Sequence, residues 1–295
     1  MKKVIESYIF LLPFFLIFIV FLAFPVFYAL WLSLHKVQDF YDVFGSLKFV
    51  GFLNYINLLK DYRFWWSLLI TLYYSLLTIP VGISFSLLLA SFLTSKLKGY
   101  NFFRTLYFLP YILDVFVVGI VWTLLYSSPY GIITRLLSNI NLNIGGLLSN
   151  PKTALPSVAF AMVLKNAGFG MVLFLATMQN ISPSLYEAAM IDGANPFQRF
   201  RYITIPSLKP VILFLFITGF IGTLSSFAEF FSMTGGGPGI VIGGKTLYST
   251  ETTGLYLYRR FESLDLGYAA SISFVLLLIT MAYSIFASRF MRERL

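Results

Sequence analysis

Apolar segments long enough to cross a lipid bilayer recur along this chain, and shorter polar segments separate them. A membrane-spanning helix needs about 20 predominantly apolar residues, and it tolerates proline. The pattern therefore predicts an all-α integral membrane protein with six transmembrane helices. Their expected positions are 8–34, 64–95, 105–126, 154–181, 208–233 and 264–288.

The predicted helices divide the chain into two parts. Residues 1–63 would hold the first transmembrane helix and an outer loop, and residues 64–295 would hold a core of five transmembrane helices. The N-terminus is basic and then apolar, as in a signal peptide, but its apolar run is too long and it lacks a small-residue cleavage site. We therefore expect it to remain as the first span.

The composition also indicates a membrane protein, since 58% of the residues are hydrophobic, 11% are charged and the mean hydropathy is +0.83. A soluble globular protein has about 25% charged residues. The net charge of +9 comes from basic residues scattered among the loops, so we expect a lipid bilayer and no nucleic acid as a partner. The chain has no cysteine, which excludes disulfides and thiolate chemistry, and its single histidine, His35, has no second histidine to share a metal.

The Lys and Arg residues indicate which helix ends face the cytoplasm, because cytoplasmic loops carry an excess of them. The richer segments, with 11 Lys and Arg within 52 positions, are 1–7, 96–104, 182–210 and 289–295. The poorer segments, with 9 within 85 positions, are 35–63, 127–153 and 234–262. We therefore expect a multi-pass protein with both termini, and the segment 182–210, on the cytoplasmic side.

The segment 182–210, between the fourth and fifth predicted helices, is polar and interrupted by turn residues. Ser182 can cap a helix, and Gly193 suits the left-handed residue at which a helix ends. The Asn-Pro pair that follows turns the chain into a second short helix, which we expect to end at Pro206. The pattern predicts a helix–turn–helix on the membrane surface, where a soluble partner would dock.

This segment resembles the cytoplasmic EAA coupling loop of ABC importer permeases, in the form found in the carbohydrate-uptake branch with its maltose/oligosaccharide and glycerol-phosphate transporters. The matching positions are Glu187, Ala188, Ala189, Asp192, Gly193, Ala194, Ile203 and Pro206. Further segments resemble sugar ABC permeases in order and spacing, at 103–111, 130–133, 234–238 and 266–270. Two positions depart from the family pattern: Ile205 replaces the usual Leu, and Ala228 stands where a small polar or acidic residue is common.

The resemblance implies the transmembrane permease subunit of an ATP-driven importer for a sugar or oligosaccharide in a prokaryotic cytoplasmic (inner) membrane. Its partners would be a second, different permease, two ATPase subunits and an extracellular or periplasmic solute-binding protein. The residues that would couple it to the ATPase are Glu187, Ala188, Ala189, Asp192 and Gly193. The chain would not be an enzyme and would hold no catalytic residue, metal or cofactor. ATP and Mg²⁺ would bind the partner ATPase, since this sequence lacks a Gly-x-x-x-x-Gly-Lys-Ser/Thr motif.

Two predicted helices carry one-sided faces of polar or small residues within otherwise apolar sequence. The face on the fourth helix comprises Met162, Lys165, Asn166 and Phe169. The face on the fifth comprises Gly219, Gly222, Thr223, Ser226 and Glu229. In sugar permeases the matching faces line the central cavity, so the resemblance implies that these residues contact solute. Two other interpretations stay open: the small residues pack against a neighbouring helix, or Lys165 has a structural partner such as Glu229.

Asp114 is a further charge within a predicted membrane helix. Charged side chains at membrane depth are costly unless partnered, and they mark functional sites by default. A role for Asp114 in solute contact or gating therefore stays open.

Three alternatives for the function remain at this point. The first is a permease of the same class for another polar solute, of the polyol or glycerol-phosphate type, although an anion would need fixed positive charge and only Lys165 offers it. The second is an ion-driven secondary transporter, which is disfavoured because no internal repeat is obvious. The third is a membrane-embedded enzyme, which is disfavoured because Asp114, Glu187, Asp192 and Glu229 are spread along the chain without a histidine partner.

Overall fold

A computed structural model describes residues 2–39, 41–42, 45–94, 99–140 and 145–292 of the chain. The protein is mostly helical, with two short antiparallel hairpins. Its elements in chain order are α1 (Lys2–Phe18), a π-helical turn (Ile19–Ala23), α2 (Phe24–Ser33), β1 (His35–Val37), β2 (Leu47–Phe49), α3 (Leu53–Lys60), α4 (Tyr62–Thr94), α5 (Tyr100–Ile112), α6 (Val115–Tyr126), α7 (Ile132–Asn139), α8 (Ala154–Gln179), α9 (Pro183–Ile191), α10 (Pro196–Arg199), a second π-helical turn (Phe200–Thr204), α11 (Ile205–Leu224), α12 (Ala228–Met233), β3 (Gly239–Ile242), β4 (Lys245–Tyr248), α13 (Thr253–Glu262) and α14 (Leu266–Arg292).

Several helices are long and apolar enough to cross a membrane. Those that pass as single spans are Phe10–Ser33, Tyr62–Thr94, Ala154–Gln179, Pro196–Leu224 and Leu266–Arg289. The described part of the chain thus has five such spans, or six if α5 and α6 together form one. The prediction of a mostly helical membrane protein is confirmed. The orientation stays a prediction, and Lys96, Lys98 and Arg294, which contribute to it, lie outside the described residues.

The third predicted span, 105–126, is broken into α5 and α6, which meet at 101°. Asp114 lies at the break as the N-cap of α6, where its Oδ1 accepts a hydrogen bond from the backbone N–H of Phe116 at 2.8 Å. The expectation that Asp114 lies inside a continuous helix was therefore wrong. The physical reason is that an aspartate which satisfies a free N–H at a helix start stabilises a new helix there.

The segment that follows α8 forms two helices, α9 and α10, joined by a turn, as its sequence pattern predicts. Gly193 lies between α9 and α10 with φ of +79°, so the predicted left-handed turn is confirmed. Ser182 does not cap α9, because its Oγ hydrogen bonds to the Oγ of Ser184 at 2.8 Å instead. The expectation that Pro206 ends the second helix was also wrong. The helix continues from Pro196 to Leu224, and a π-helical turn, Phe200–Thr204, directly precedes Pro206. Membrane helices tolerate an interior proline because local π-helical adjustments re-satisfy the backbone groups that it leaves without a partner.

The chain forms two compact units, residues 1–64 with 256–279 and residues 65–255 with 280–295. The division into 1–63 and 64–295 stays a prediction. In the first unit β1 pairs with β2, and the side-chain amide of Asn54 donates to the backbone carbonyls of Ser33 at 2.8 Å and His35 at 2.9 Å. The polar hairpin is thereby joined to the start of α3.

A polar cluster around the Asp61 carboxylate organises the rest of the first unit. The hydroxyls of Tyr256 and Tyr268 both donate to Asp61 Oδ2, and Arg260 lies 3.7 Å from the same oxygen. Burial alone would raise the pKa of the Asp61 carboxyl, but the two tyrosine hydrogen bonds, the backbone N–H of Arg63 and the charge of Arg260 outweigh it and hold that pKa below its ordinary value. Asp61 is therefore bound as the charged form.

We expect Asp61→Asn to lower the free energy of unfolding by about 2 kcal/mol, because hydrogen bonds to a charged acceptor are stronger than those to an amide. Since the folded pKa of Asp61 lies below the unfolded one, its contribution is present above about pH 4 and is lost as the pH falls through the folded value. Thermal melting of the detergent-purified protein at pH 7 and at pH 3 measures both effects. Asp39→Asn, which changes an exposed carboxylate, is the control. Equal melting of Asp61→Asn and wild type at pH 7 would contradict this role.

The second unit has its own apolar core, in which residues from three helices meet. The core residues come from α4, α8 and α11, and they are Leu89, Ala90, Leu93, Ala167, Met171, Phe174, Leu175 and Leu208. α5 crosses α8 at Gly168, where the backbone of Tyr107 and Phe108 occupies the space that a side chain would need.

Candidate functional site

A cavity of about 540 Å³ lies in the second unit, between α4, α8, α11 and α12. Its volume is within the range of ordinary small-molecule sites, roughly 300–1,000 Å³. α4 contributes Tyr74, Thr78, Gly82 and Ser86, which recur every four residues and therefore share one face of the helix. Tyr111 of α5 and Val115 of α6 reach the cavity from either side of the broken span.

Apart from Lys165, both faces that the sequence singles out line this cavity. The predicted residues that line it are Met162, Asn166, Phe169, Gly219, Gly222, Thr223, Ser226 and Glu229. A side-chain carbon at Gly222 would meet no atom within 4 Å, whereas one at Gly219 would lie 3.3 Å from Ile79. The face of α11 at Gly222 is thus open space and not a contact between helices. The role of all these predicted residues as solute contacts stays a prediction.

Thr223 and Ser226 lie where α11 ends and the chain turns into α12. The Thr223 hydroxyl donates to the carbonyl of Phe220 at 2.9 Å, and the Ser226 hydroxyl donates to the carbonyl of Thr223 at 2.7 Å. The Thr223 carbonyl also accepts a hydrogen bond from the backbone N–H of Ser226 at 3.3 Å. Each hydroxyl oxygen keeps its capacity to accept a hydrogen bond, so this end of the cavity offers acceptors.

Lys165 does not line the cavity with its neighbours. Its Nζ donates to the backbone carbonyl of Tyr111 at 3.2 Å and lies 5.5 Å from the centroid of the Tyr111 ring, and the residue is only 5% exposed. Lys165 also interacts electrostatically with Glu229 and Asp114. The amine is therefore held behind an aromatic residue that itself faces the cavity.

Glu229 is buried at the start of α12, and it accepts a hydrogen bond from the hydroxyl of Tyr74 at 3.2 Å. The ring of Tyr74 packs edge to face against Phe230, with the centroids 4.8 Å apart. The sequence suggested Lys165 as the partner of Glu229, but the structure gives each a separate hydrogen-bond partner. Their interaction with each other is electrostatic.

The cavity has an aromatic wall that the sequence pattern showed only in part. The rings of Phe169 and Tyr111 stack with centroids 4.9 Å apart and planes inclined by 15°. Sequence reasoning singled out Phe169 but missed Tyr111, Tyr74 and Phe227, which also line the cavity. The four-residue spacing of polar and small residues along α4 is the signal that would have found Tyr74.

The segment 183–204, from α9 through α10 and the second π-helical turn, presents the residues predicted to couple to an ATPase, and we call it the α9–α10 segment. Glu187, Ala188, Asp192 and Gly193 are exposed, and Ala189 is half-buried. Apolar residues on the same segment are also exposed: Ile191 by 87%, Phe197 by 73% and Tyr202 by 74%. The hydroxyls of Tyr186 and Thr204 are joined at 2.9 Å, and this bond ties α9 to the turn before α11.

Within the described ranges of the chain, no three His, Asp or Glu side chains gather into a group that could hold a metal ion. The polar groups of the cavity are hydroxyls, an amide and one carboxyl, and these are groups that bind polar solutes through hydrogen bonds.

A family model described as "binding-protein-dependent transport system inner membrane component" matches residues 82–293. The trehalose/maltose transport system permease protein MalF of Thermococcus litoralis is 31% identical over 279 residues, which cover 95% of this chain and 91% of that protein. The sn-glycerol-3-phosphate transport system permease protein UgpA of Yersinia enterocolitica is 33% identical over 290 residues, which cover 97% of this chain and 94% of that protein.

The fold is also similar to that of a solved structure. A chain from a bacterial ABC transporter involved in the import of the acidic polysaccharide alginate superposes with a TM-score of 0.81. The match covers 99% of this chain and 96% of that chain at 23% sequence identity. At that identity the likeness concerns the fold alone.

Proposed function

Because the chain belongs to the family of binding-protein-dependent transport system inner membrane components, we propose that it is the permease subunit of an ATP-driven importer for a sugar or oligosaccharide. The observation that carries this proposal is the cavity of about 540 Å³ between α4, α8, α11 and α12. Its wall combines hydroxyls, the Asn166 amide and stacked aromatic rings, and these groups suit the hydroxyls and the apolar faces of sugars. The trehalose/maltose permease among the relatives supports the solute class.

We further propose that the α9–α10 segment docks onto an ATPase subunit, and that ATP and Mg²⁺ bind there and not on this chain. Ile191, Phe197 and Tyr202 are large and exposed, which is a feature of contact surfaces. Glu187 and Asp192 are exposed next to them and can supply ion pairs or hydrogen bonds at the edge of the contact. The segment would then lie in the cytoplasm, with both termini on the same side.

The other partners follow from the family. The description of the family names a binding protein, which supports an extracellular or periplasmic protein that delivers the solute. A second, different permease would supply the facing wall of the cavity. The assembled importer would lie in a prokaryotic cytoplasmic membrane.

The experiment that tests this function is affinity purification of the full chain from its native membrane in mild detergent, with the co-purifying proteins identified by mass spectrometry. We expect an ATPase with a phosphate-binding Gly-x-x-x-x-Gly-Lys-Ser/Thr motif and a second permease of the same family. Recovery of the chain without an ATPase, even after crosslinking, would contradict the proposal and favour a self-sufficient carrier or enzyme.

We expect Asn166→Ala and Ser226→Ala to raise the solute concentration needed for half-maximal transport by about tenfold each, because each loses a hydrogen bond worth about 1–1.5 kcal/mol in the cavity. Initial rates of solute uptake into vesicles that contain the assembled importer measure this. Ser91→Ala is the control, since the Ser91 hydroxyl bonds to the Leu87 carbonyl and does not line the cavity. Unchanged uptake kinetics in both variants for every solute tested would show that Asn166 and Ser226 have packing roles and do not contact solute.

A further inference from the structure

The charges around the cavity are distributed unevenly. Among the described residues that line it, Glu229 is the only one, apart from the tyrosines, whose side chain can ionise. No Lys, Arg or His from the described ranges of the chain belongs to this lining. The wall that this chain contributes therefore offers a carboxyl group and no positive charge to a solute.

The nearest cation is already engaged elsewhere. Lys165 is 5% exposed, and its Nζ donates to the Tyr111 carbonyl at 3.2 Å and faces the Tyr111 ring. The acidic groups that act on it electrostatically are Glu229 and Asp114. Between this amine and the cavity lies the Tyr111 side chain, which lines the cavity and is stacked on Phe169.

Hydroxyl and amide groups make up the other polar surface of the cavity. Thr78, Thr218 and Ser226 supply hydroxyls, and Asn166 supplies both a donor and an acceptor. None of these groups neutralises a charge, but each can exchange a hydrogen bond with a solute hydroxyl. The Tyr111–Phe169 pair adds a flat apolar surface against which the C–H face of a sugar ring can pack.

We propose that this cavity selects uncharged polyhydroxylated solutes over anionic ones such as phosphorylated or carboxylated sugars. The inference rests on the proposed function and narrows its solute class, which membership in the family leaves open. An anion that enters the cavity loses hydration without gaining a cationic partner, and Glu229 repels it. An uncharged sugar loses only hydrogen bonds, which the hydroxyls and the amide of the wall replace.

The test uses the complete importer, with its partner permease, ATPases and binding protein, reconstituted in lipid vesicles. The vesicles enclose ATP and Mg²⁺. The binding protein is supplied outside with an equimolar mixture of trehalose, maltose, maltotriose and sucrose, the uronic acid derivative of each and sn-glycerol 3-phosphate. Mass spectrometry of the vesicle contents then gives the ratio of neutral to anionic uptake. We expect at least one neutral sugar to accumulate about tenfold or more above every anion, the ratio that about 1.4 kcal/mol of discrimination produces.

A charge variant distinguishes a preference that arises in the cavity from one that arises in the binding protein, because the binding protein is the same in all reactions. Glu229→Gln keeps the size of the side chain. We expect it to lower the ratio of neutral to anionic uptake by about threefold or more, which is part of the tenfold preference. Glu262→Gln removes a carboxylate that does not line the cavity and is expected to leave the ratio unchanged. Co-purification of the ATPase with each variant verifies assembly.

The possible results have distinct meanings. Anionic uptake that equals or exceeds neutral uptake would overturn the charge preference and leave the proposed import function standing. An unchanged ratio in assembled Glu229→Gln importer would show that the preference does not arise from this wall, which also overturns the inference. No uptake of any probe by an assembled, ATP-hydrolysing importer would instead contradict the proposed function.

Discussion

Replacing Gly168 with leucine is expected to abolish transport, because α5 and α8 approach too closely at this residue to admit a side chain. Even the first side-chain carbon would overlap the backbone of Tyr107 and Phe108. Backbone atoms cannot move aside as a flexible side chain does, so the helices must separate. Close crossings of membrane helices depend on small residues for this reason. Overpacking of this kind costs about 3 kcal/mol or more.

The measurement for Gly168 is the yield and melting temperature of the assembled importer by fluorescence-detected gel filtration. We expect Gly168→Leu to give less than a tenth of the wild-type complex, and Gly168→Ala to be intermediate. Gly82→Ala is the matched control on α4, since a side-chain carbon there would meet no atom within 4 Å. A fully assembled Gly168→Leu importer with normal melting would show that the crossing can relax.

Replacing Gly193 with valine is expected to separate ATP hydrolysis from transport. Gly193 has φ of +79°, a conformation that a β-branched residue adopts only at a cost of about 1–2 kcal/mol. The turn it makes carries the hydrogen bonds from Gly193 N to the Met190 carbonyl at 3.1 Å and from Ala194 N to the Ala189 carbonyl at 2.8 Å. A change of turn would redirect α10 relative to α9 and alter the surface proposed to meet the ATPase.

For this second prediction, transport and ATP hydrolysis are measured on the same reconstituted vesicles. Gly193→Val should lower the number of solute molecules carried per ATP by more than tenfold while the chain remains inserted in the membrane. Gly193→Asn is the control, because asparagine tolerates the left-handed region. Glu187→Lys tests the charge of the same surface without changing the turn. Normal coupling in both Gly193→Val and Glu187→Lys would contradict the coupling role.

Hydropathy located most of the helices because burial in lipid and regular hydrogen bonding impose a strong, local pattern. The predicted helix at 154–181 matches α8 within two residues, and that at 64–95 matches α4 equally well. Hydropathy did not reveal the break at Asp114, since an average over about 20 residues cannot register a single capping carboxylate. The continuation of the helix through Pro206 was missed for a related reason: the five-residue π-helical turn that precedes this proline leaves no trace in an average of hydropathy.

The cavity was partly predictable, because polar faces on apolar helices are visible as spacing in the sequence. Asn166 and Ser226 were found in this way, and both line the cavity. Tyr111 was missed because it reaches the cavity only through the bend between α5 and α6, a tertiary feature. Lys165 shares the helical face of Asn166, but its long side chain turns toward a carbonyl of another helix, and sequence spacing does not determine where a flexible side chain ends.

The broken span has an electrostatic consequence. A helix carries a partial positive charge at its N-terminus and a partial negative charge at its C-terminus. The Lys165 ammonium binds the Tyr111 carbonyl in the last turn of α5, and the Asp114 carboxylate begins α6. The two helix dipoles that meet at the bend are therefore each compensated by a side chain of opposite sign. Both charges therefore stabilise the bent geometry of this span at the point where its two helices meet.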